Sequence, residues 1–377
     1  MDTSLPILVT GYGGFVGRNL VAELKNRGFN NLLLFERDDT PETLADYAAR
    51  ASFVIHLAGI NRPQDPSEFY TGNAGLTDTM LSYLKQAGNK APVLVTSSIQ
   101  AALDNDYGKS KKQAEDAIFE HGEAMGSQVY VFRMPGVFGK WCRPNYNSVV
   151  ATFCHNVANG LPIQVRDPAY QFPLVYIDDV VNCIIEAMDG VVMCDRSARP
   201  ICHMHPIHEV TLGYLAELVQ SFKESRDTLA VPGMAEGSFE KKLYSTYLSY
   251  LPTDQFKYPL NMHCDDRGSF TEFLRSPERG QVSINISKPG IVKGNHWHHS
   301  KNEKFLVVKG KGVIRFRRID SDEVIEYHVS GDKLEVVDIP TGYTHNIENV
   351  GEGDMVTVMW ANEPFDPEHP DTFFLKV

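Results

Sequence analysis

The chain has 377 residues, 42% of them hydrophobic and 22% charged, an ordinary globular composition with room for two domains. Its formal net charge of −12 argues against a nucleic-acid or anionic-membrane surface. The start MDTSLP lacks a basic leader, no apolar run approaches about 20 residues, and the six cysteines show no C-x-x-C pair. These features point to a cytoplasmic chain with reduced thiols and no membrane span.

In chain order, residues 7–11, 31–36, 53–59, 92–98, 129–135 and 171–179 read as short, mostly buried strands. Helical patterns at 15–28, 73–88 and 107–122 lie between several of them. Such alternation predicts a doubly wound parallel sheet. Another helix is expected over 211–222, with Thr211 as its cap. Residues 225–259 read as a connection punctuated by Pro252 and Pro259. From about 262 short strand-like runs alternate with turns, as in an all-β sandwich or barrel. The expected domains are therefore 1–250 and 260–377.

Thr10-Gly11-Tyr12-Gly13-Gly14-Phe15-Val16-Gly17 ends the first strand and opens the first helix. Glycines at G-x-x-G-x-x-G spacing make a tight turn and let a pyrophosphate approach backbone N–H groups at a helix N-terminus. Glu36-Arg37 follows about 20 residues later. An acid there reads the ribose 2′-hydroxyl of NAD, whereas an arginine accommodates the 2′-phosphate of NADP. We favour NADPH through Arg37, with Glu36 reading NAD as the alternative. Tyr107 and Lys111 stand at i, i+4, on one helix face. A nearby cation is what makes a phenol useful in acid–base work near neutrality.

With Ser97-Ser98, HLAG at 56–59, FRMPGVFG at 132–139 and YIDDV at 176–180, these motifs resemble the extended short-chain dehydrogenase/reductase (SDR) family. The resemblance covers about the first 245 residues and implies a Rossmann-type fold. It implies that Tyr107 donates a proton to a substrate carbonyl, Lys111 lowers its pKa and holds the nicotinamide ribose, and Ser98 binds the carbonyl oxygen. The glycine motif implies cofactor contacts at Gly11, Gly14, Phe15, Val16 and Gly17; the HLAG motif implies them at Leu57 and Ala58. Ala51-Ser52-Phe53 departs from the family by lacking the acid that holds adenine in many members. The histidine-rich HMHPIH, 203–208, reads as a connection because no carboxylate pattern accompanies it.

Near the C-terminus, Gly290, His296, His298, Glu303 and Gly310 fit G-x5-H-x-H-x4-E-x6-G, and Pro340, Gly342, His345 and Asn349 fit P-x-G-x2-H-x3-N. In a strand His296 and His298 point to one face. A return strand carrying His345, with Glu303 nearby, would close three imidazoles and a carboxylate around a divalent transition metal, zinc being our first choice. The two motifs resemble the pair of the cupin (double-stranded β-helix) barrel. A metal there would act as a Lewis acid at a keto oxygen. Candidate bases beside it are His299, Lys301 and Tyr343.

Longer stretches reach across both halves: 56–63, 138–154, 243–252, 265–273, 285–308 and 330–349. They resemble the CapF-type bifunctional enzymes of capsular polysaccharide synthesis. The fold thus implied is an α/β doubly wound Rossmann-type parallel sheet (extended SDR) followed by an all-β cupin barrel. The implied activity is C3 epimerisation of UDP-2-acetamido-2,6-dideoxy-hexos-4-ulose, then NADPH reduction of the C4 ketone to UDP-2-acetamido-2,6-dideoxy-L-talose, toward N-acetyl-L-fucosamine. A homodimer is implied as well. Arg133, Arg143, Asn145, Tyr146 and Arg166 are candidates for diphosphate or sugar contacts. The competing readings are a reductase with a non-catalytic cupin module, and an NADP-sensing regulatory protein; Tyr107 and Lys111 count against the second.

Overall fold

The computed structural model describes every residue except 62–64, 66 and 277. Arg62 and Pro63 of the 56–63 stretch therefore lie outside the described residues. The chain divides into two compact units, Met1–Val219 with Gly237–Leu251, and Gln220–Glu236 with Pro252–Val377. Residues 220–236, inside the 1–250 expected for the first domain, cluster with the second unit.

The first unit starts with β1 (Ile7–Thr10), α1 (Phe15–Asn26), β2 (Leu32–Phe35), α2 (Pro41–Arg50) and β3 (Phe53–His56). A short α3 (Ser67–Phe69) passes through a π-helical turn, Tyr70–Gly75, into α4 (Leu76–Gln86). Then come β4 (Val93–Ser98), α5 (Asp106–Met125), β5 (Val129–Met134), β6 (Gly136–Phe138) and α6 (Val149–Ala158). The rest is β7 (Gln171–Tyr176), α7 (Ile177–Met188), β8 (Ile201–Cys202), β9 (His208–Thr211), α8 (Leu212–Thr228), whose part from Gln220 onward clusters with the second unit, and α9 (Phe239–Leu248).

The main sheet is parallel, in the order β2-β1-β3-β4-β5-β8. Every residue of β1 and β3 is buried, which is why both read as continuous apolar runs. Two cores flank the sheet, one including Ile7, Val9, Leu20 and Phe132, the other Leu8, Val54, Leu84 and Ile118.

Three local expectations change. The 171–179 strand does not join the main sheet: β7 pairs with β6 and β9 in a small sheet of its own, and the two-residue β8 takes the outer place. The supposed connection holds α9, capped by the Ser238 side chain on the Lys241 N–H. Third, Cys194 and Cys202 are disulfide-bonded, so the expectation that all six thiols are reduced is corrected for this pair. They face each other across an isolated antiparallel bridge with Cα atoms 3.8 Å apart, a closeness that a spacing of eight residues does not announce.

The second unit carries two antiparallel sheets. One has the order β10 (His263–Asp265), β11 (Gly268–Ser276), β12 (Gly280–Ser287), β19 (Met355–Ala361), β14 (Glu303–Lys309) and β17 (Val336–Ile339). The other runs β16 (Val324–Ser330), β15 (Lys311–Arg318), β18 (Tyr343–Asn349), β13 (Val292–Trp297) and β20 (Phe373–Phe374). Phe305 and Val307 of β14 meet Ile314 and Phe316 of β15 and Ile347 of β18 in one buried core. This is the all-β architecture that the strand-and-turn pattern predicts, and it is consistent with the cupin-like barrel that the two histidine motifs imply.

Candidate active sites

The parallel sheet reverses its strand order between β1 and β3, and ligands of such sheets bind at the carboxyl ends of the strands beside that reversal. A cavity of about 940 Å³ lies there, lined by residues that follow β1, β3, β4 and β5. Gly11, Gly14, Phe15, Val16, Gly17, Leu57, Ser98, Tyr107 and Lys111 all border it; Ala58 and Arg37 do not. Ala58 instead backs the turn, where a Cβ on Gly11 would lie 2.7 Å from its N atom. Gly17 is equally constrained, since a Cβ would come within 2.3 Å of the Gly11 carbonyl. Helix α1 has no side-chain cap at Gly14, so its first N–H groups are left for an anion.

Glu36 lies over this turn, its Oε1 accepting the Gly13 N–H at 2.5 Å, while Arg37 is exposed. The sequence reading of the pair rested on the arginine; the structure puts the acid nearer the glycines.

Tyr107 stands in the first turn of α5, which starts because the Asn105 side chain accepts the Gly108 N–H at 2.7 Å. Its phenol donates to Asn61 Oδ1 at 3.1 Å. Burial pushes the phenol up and hydrogen bonding to Ser98 pulls it partly back, so without ligands its pKa is raised rather than lowered. Lys111 is buried, donates to the Thr96 carbonyl at 3.3 Å, and is pushed down to about 8 by burial, against a raising effect of Glu115. Asn73, from the π-helical turn, bonds Ile60 and Ser110 beside it. Gly59 is needed there, because a Cβ would meet Asn73 Oδ1 at 2.8 Å and Lys111 Nζ at 3.0 Å.

Ser97 and Ser98 separate cleanly. Ser97 is buried and donates to Glu115 Oε1 at 2.6 Å, whereas Ser98 faces Tyr107. Arg133 is committed as well: it grips Glu115 at 2.9 and 2.7 Å, which removes it from the diphosphate candidates. Arg143 lies 5.1 Å over the Tyr146 ring at the cavity wall, and Arg166 is exposed away from it. Sequence reasoning missed Asn61, Asn73 and Glu115. Only Glu115 carried a signal, its i+4 spacing from Lys111.

In the second unit His296 and His345 are register partners on β13 and β18, with rings 4.5 Å apart. His298 and Glu303 flank the corner between β13 and β14. Glu303 Oε2 lies 3.5 Å from His298 Nε2 and 3.3 Å from His345 Nε2. One ligand atom from each of the four residues falls within 4.8 Å of the others. A bulge at Asn295, φ +59°, turns His296 toward its partners.

His298 Nε2, His345 Nε2 and Glu303 Oε2 are buried and lack any hydrogen-bond partner. Orphaned buried atoms of this kind are costly unless something else binds them, and a divalent metal fits the donor set. Burial and His345 push His296 down to about 4, keeping it neutral. Burial raises Glu303, but His298 and His345 outweigh it and bring the carboxyl down to about 2. His296 and Glu303 are thus in ligand-ready form at neutral pH, whereas His298, lowered by burial, is raised on balance by Glu303 and the Asp371 carbonyl.

Of the base candidates, Lys301 is buried and donates to the Pro370 carbonyl at 2.7 Å, and exposed His299 packs between Trp297 and Phe373. Tyr343 stands two residues before His345, on the same strand face. A second trio of metal-binding residue types, Cys183, Glu186 and His205, is satisfied internally: His205 Nε2 meets Glu186 at 3.1 Å and the Cys183 thiol donates to the His205 carbonyl. Residues 203–207 connect β8 to β9 and His208 opens β9, so the expected connection runs from strand to strand rather than from strand to helix.

Fold and cavity together define a nicotinamide-dependent enzyme with an appended β domain. Residues 7–193 match the NAD dependent epimerase/dehydratase family and residues 263–373 match the polysaccharide biosynthesis C-terminal domain. The chain is 45% identical over 373 residues, 99% of each chain, to the UDP-2-acetamido-2,6-beta-L-arabino-hexul-4-ose reductase of Pseudomonas aeruginosa. It is 52% identical to the capsular polysaccharide assembling protein CapF of Staphylococcus aureus, covering 99% of this chain and 100% of that one, with a TM-score of 0.92. The chain belongs to the family of these two proteins. The NADPH complex of RMD from Pseudomonas aeruginosa, 21% identical over 66% of this chain and 98% of its own, with a TM-score of 0.52, shares the dinucleotide fold alone. Among the described residues no helix is long and apolar enough to cross a membrane.

Proposed function

We propose that the chain converts a UDP-4-keto-6-deoxy sugar in two steps, epimerising C3 of UDP-2-acetamido-2,6-dideoxy-hexos-4-ulose in the β domain and reducing the C4 ketone in the dinucleotide domain. The product is UDP-2-acetamido-2,6-dideoxy-L-talose, for capsule synthesis. One observation carries this reading: a single chain holds both a Ser98–Tyr107–Lys111 group on a dinucleotide cavity and four converging metal-ligand types. The order follows from carbonyl chemistry. The C4 ketone acidifies the C3–H, so epimerisation precedes loss of that ketone.

When bound, NADPH supplies hydride and a divalent metal, zinc in our reading, supplies Lewis acidity toward the keto oxygen. The chain's own residues do the rest. Tyr107 gives its phenolic proton to the C4 oxygen as charge develops there, and Ser98 holds the same oxygen. Asn61 Oδ1 holds the phenol in position before substrate arrives. Lys111 orients the nicotinamide ribose, and Arg37 accepts the 2′-phosphate. His296, His298, Glu303 and His345 hold the metal, and Tyr343 is positioned by its strand to exchange a proton at C3. On this reading the chain works in the cytoplasm as a homodimer.

Two variants test it. Tyr107→Phe should abolish NADPH oxidation while C3 exchange with solvent deuterium persists. His345→Ala should abolish that exchange and the bound metal together. Exchange that survives metal loss would make the β domain non-catalytic, and absence of turnover in the parent would favour the sensing protein.

A further inference from the structure

We infer that Asp371, near the end of the chain, is the positioning residue of the histidine cluster: it pins the 298–301 corner and dictates which nitrogen His298 turns inward. The inference rests on the metal-centre reading above.

The carbonyl oxygen of Asp371 lies 2.6 Å from His298 Nδ1. A carbonyl can only accept, so Nδ1 carries a proton, and in the neutral ring that leaves the lone pair on Nε2. That Nε2 is one of the buried atoms without a partner, facing Glu303. The Asp371 side chain clamps the next three residues: Oδ1 accepts the His299 N–H at 2.9 Å, and Oδ2 accepts those of Ser300 and Lys301, both at 2.8 Å. The Ser300 hydroxyl adds a fourth bond at 3.1 Å. Asp371 therefore grips the corner with its carboxylate and sets the ring with its own backbone.

The backbone of Asp371 bears this out as a held conformation. Its φ is +40°, in the left-handed region where a side chain is strained unless the surroundings enforce it. The flanking residues supply that enforcement. Phe374 pairs with His296 and Phe373 with Trp297, the Leu375 N–H bonds the Asn295 carbonyl at 3.0 Å, and Lys301 Nζ bonds the Pro370 carbonyl. The last residues of the chain thus strap the ligand strand from outside. Groups that orient a ligand histidine in this way are typically worth about 10- to 100-fold in metal affinity.

The test compares the full-length parent with Asp371→Ala, Asp371→Asn and, as a strap control, Phe374→Ala. Each is stripped of metal and titrated with Zn2+ against a chromophoric chelator, with thermal unfolding of the metal-free forms in parallel. Asp371→Ala should bind Zn2+ about 10- to 100-fold more weakly, Asp371→Asn should recover part of that loss, and Phe374→Ala should stay near the parent. An Asp371→Ala affinity matching the parent's would overturn the inference, as would an equal loss in Phe374→Ala at equal thermal destabilisation. The ¹⁵N shifts of His298 in metal-free protein give an independent readout: proton on Nδ1 in the parent, mixed forms in Asp371→Ala, and identical shifts would again overturn it. A parent that takes up no Zn2+ contradicts the metal-centre reading, while the ¹⁵N shifts still decide the role of Asp371.

Discussion

Lys111 and Glu115 stand one turn apart on α5, and the buried Glu115 carboxylate, bonded to Ser97 and Arg133, offsets part of the burial that depresses the lysine. Removing that charge while Arg133 stays should lower the lysine further. Among the described residues, His56 and Glu115 are titratable groups that interact with Lys111, and buried His56, pushed down to about 3, stays neutral throughout. Glu115→Gln should therefore move the alkaline limb of the kcat/KM profile for NADPH oxidation to lower pH. An unmoved limb would assign Glu115 a packing role only.

Lys111 itself should cost stability. Its folded pKa of about 8 lies below the ordinary 10.5, so between those values the unfolded chain binds more protons and stability rises with pH. Below 8 the penalty is fully present. Lys111→Met should thus unfold at a higher temperature than the parent at pH 7, and the gap should narrow toward pH 10.5. Thermal scans across that range, beside an activity assay showing the expected loss, check the sign.

Gly17→Ala places a methyl 2.3 Å from the Gly11 carbonyl and 2.5 Å from Tyr12 Cα, both backbone atoms. The turn must open to admit it, at about 1–3 kcal/mol for such overpacking. Weaker NADPH binding with a lower melting temperature is expected. Gly28→Ala, with nothing within 4 Å, serves as a comparison in which only the +86° φ is strained.

Arg37→Ser should raise the KM for NADPH at least about tenfold, the loss of one charge-assisted phosphate contact, while leaving NADH use unchanged. Glu36 sits on the Gly13 N–H, so Glu36→Gln should lower the KM for NADPH by removing a negative charge next to the arginine proposed to hold the 2′-phosphate. Steady-state kinetics with both cofactors would reverse the reading if Arg37→Ser affected them equally.

Much of this is legible in the sequence. Buried strands such as Ile7–Thr10 and Phe53–His56 announce themselves as apolar runs, and the two histidine motifs carry their own spacing. What escaped depends on long-range pairing. Residues 171–176 look like any buried strand, but whether they join β5 or β6 is decided in three dimensions. Asp371 is 68 positions from Glu303 and no local period links it to His298. In the sequence Arg133 stands free for a phosphate, because its partner Glu115 lies on another element.

The central claim is that one chain performs both steps on one 4-keto sugar. The most direct measurement incubates the full-length, zinc-loaded protein with UDP-2-acetamido-2,6-dideoxy-hexos-4-ulose in deuterium oxide, with and without NADPH, and follows C3 and C4 by NMR. Deuterium entering at C3 without NADPH, and a C4 alcohol appearing only when NADPH is added, is the predicted result. Reduction at C4 with the C3 proton fully retained would contradict it.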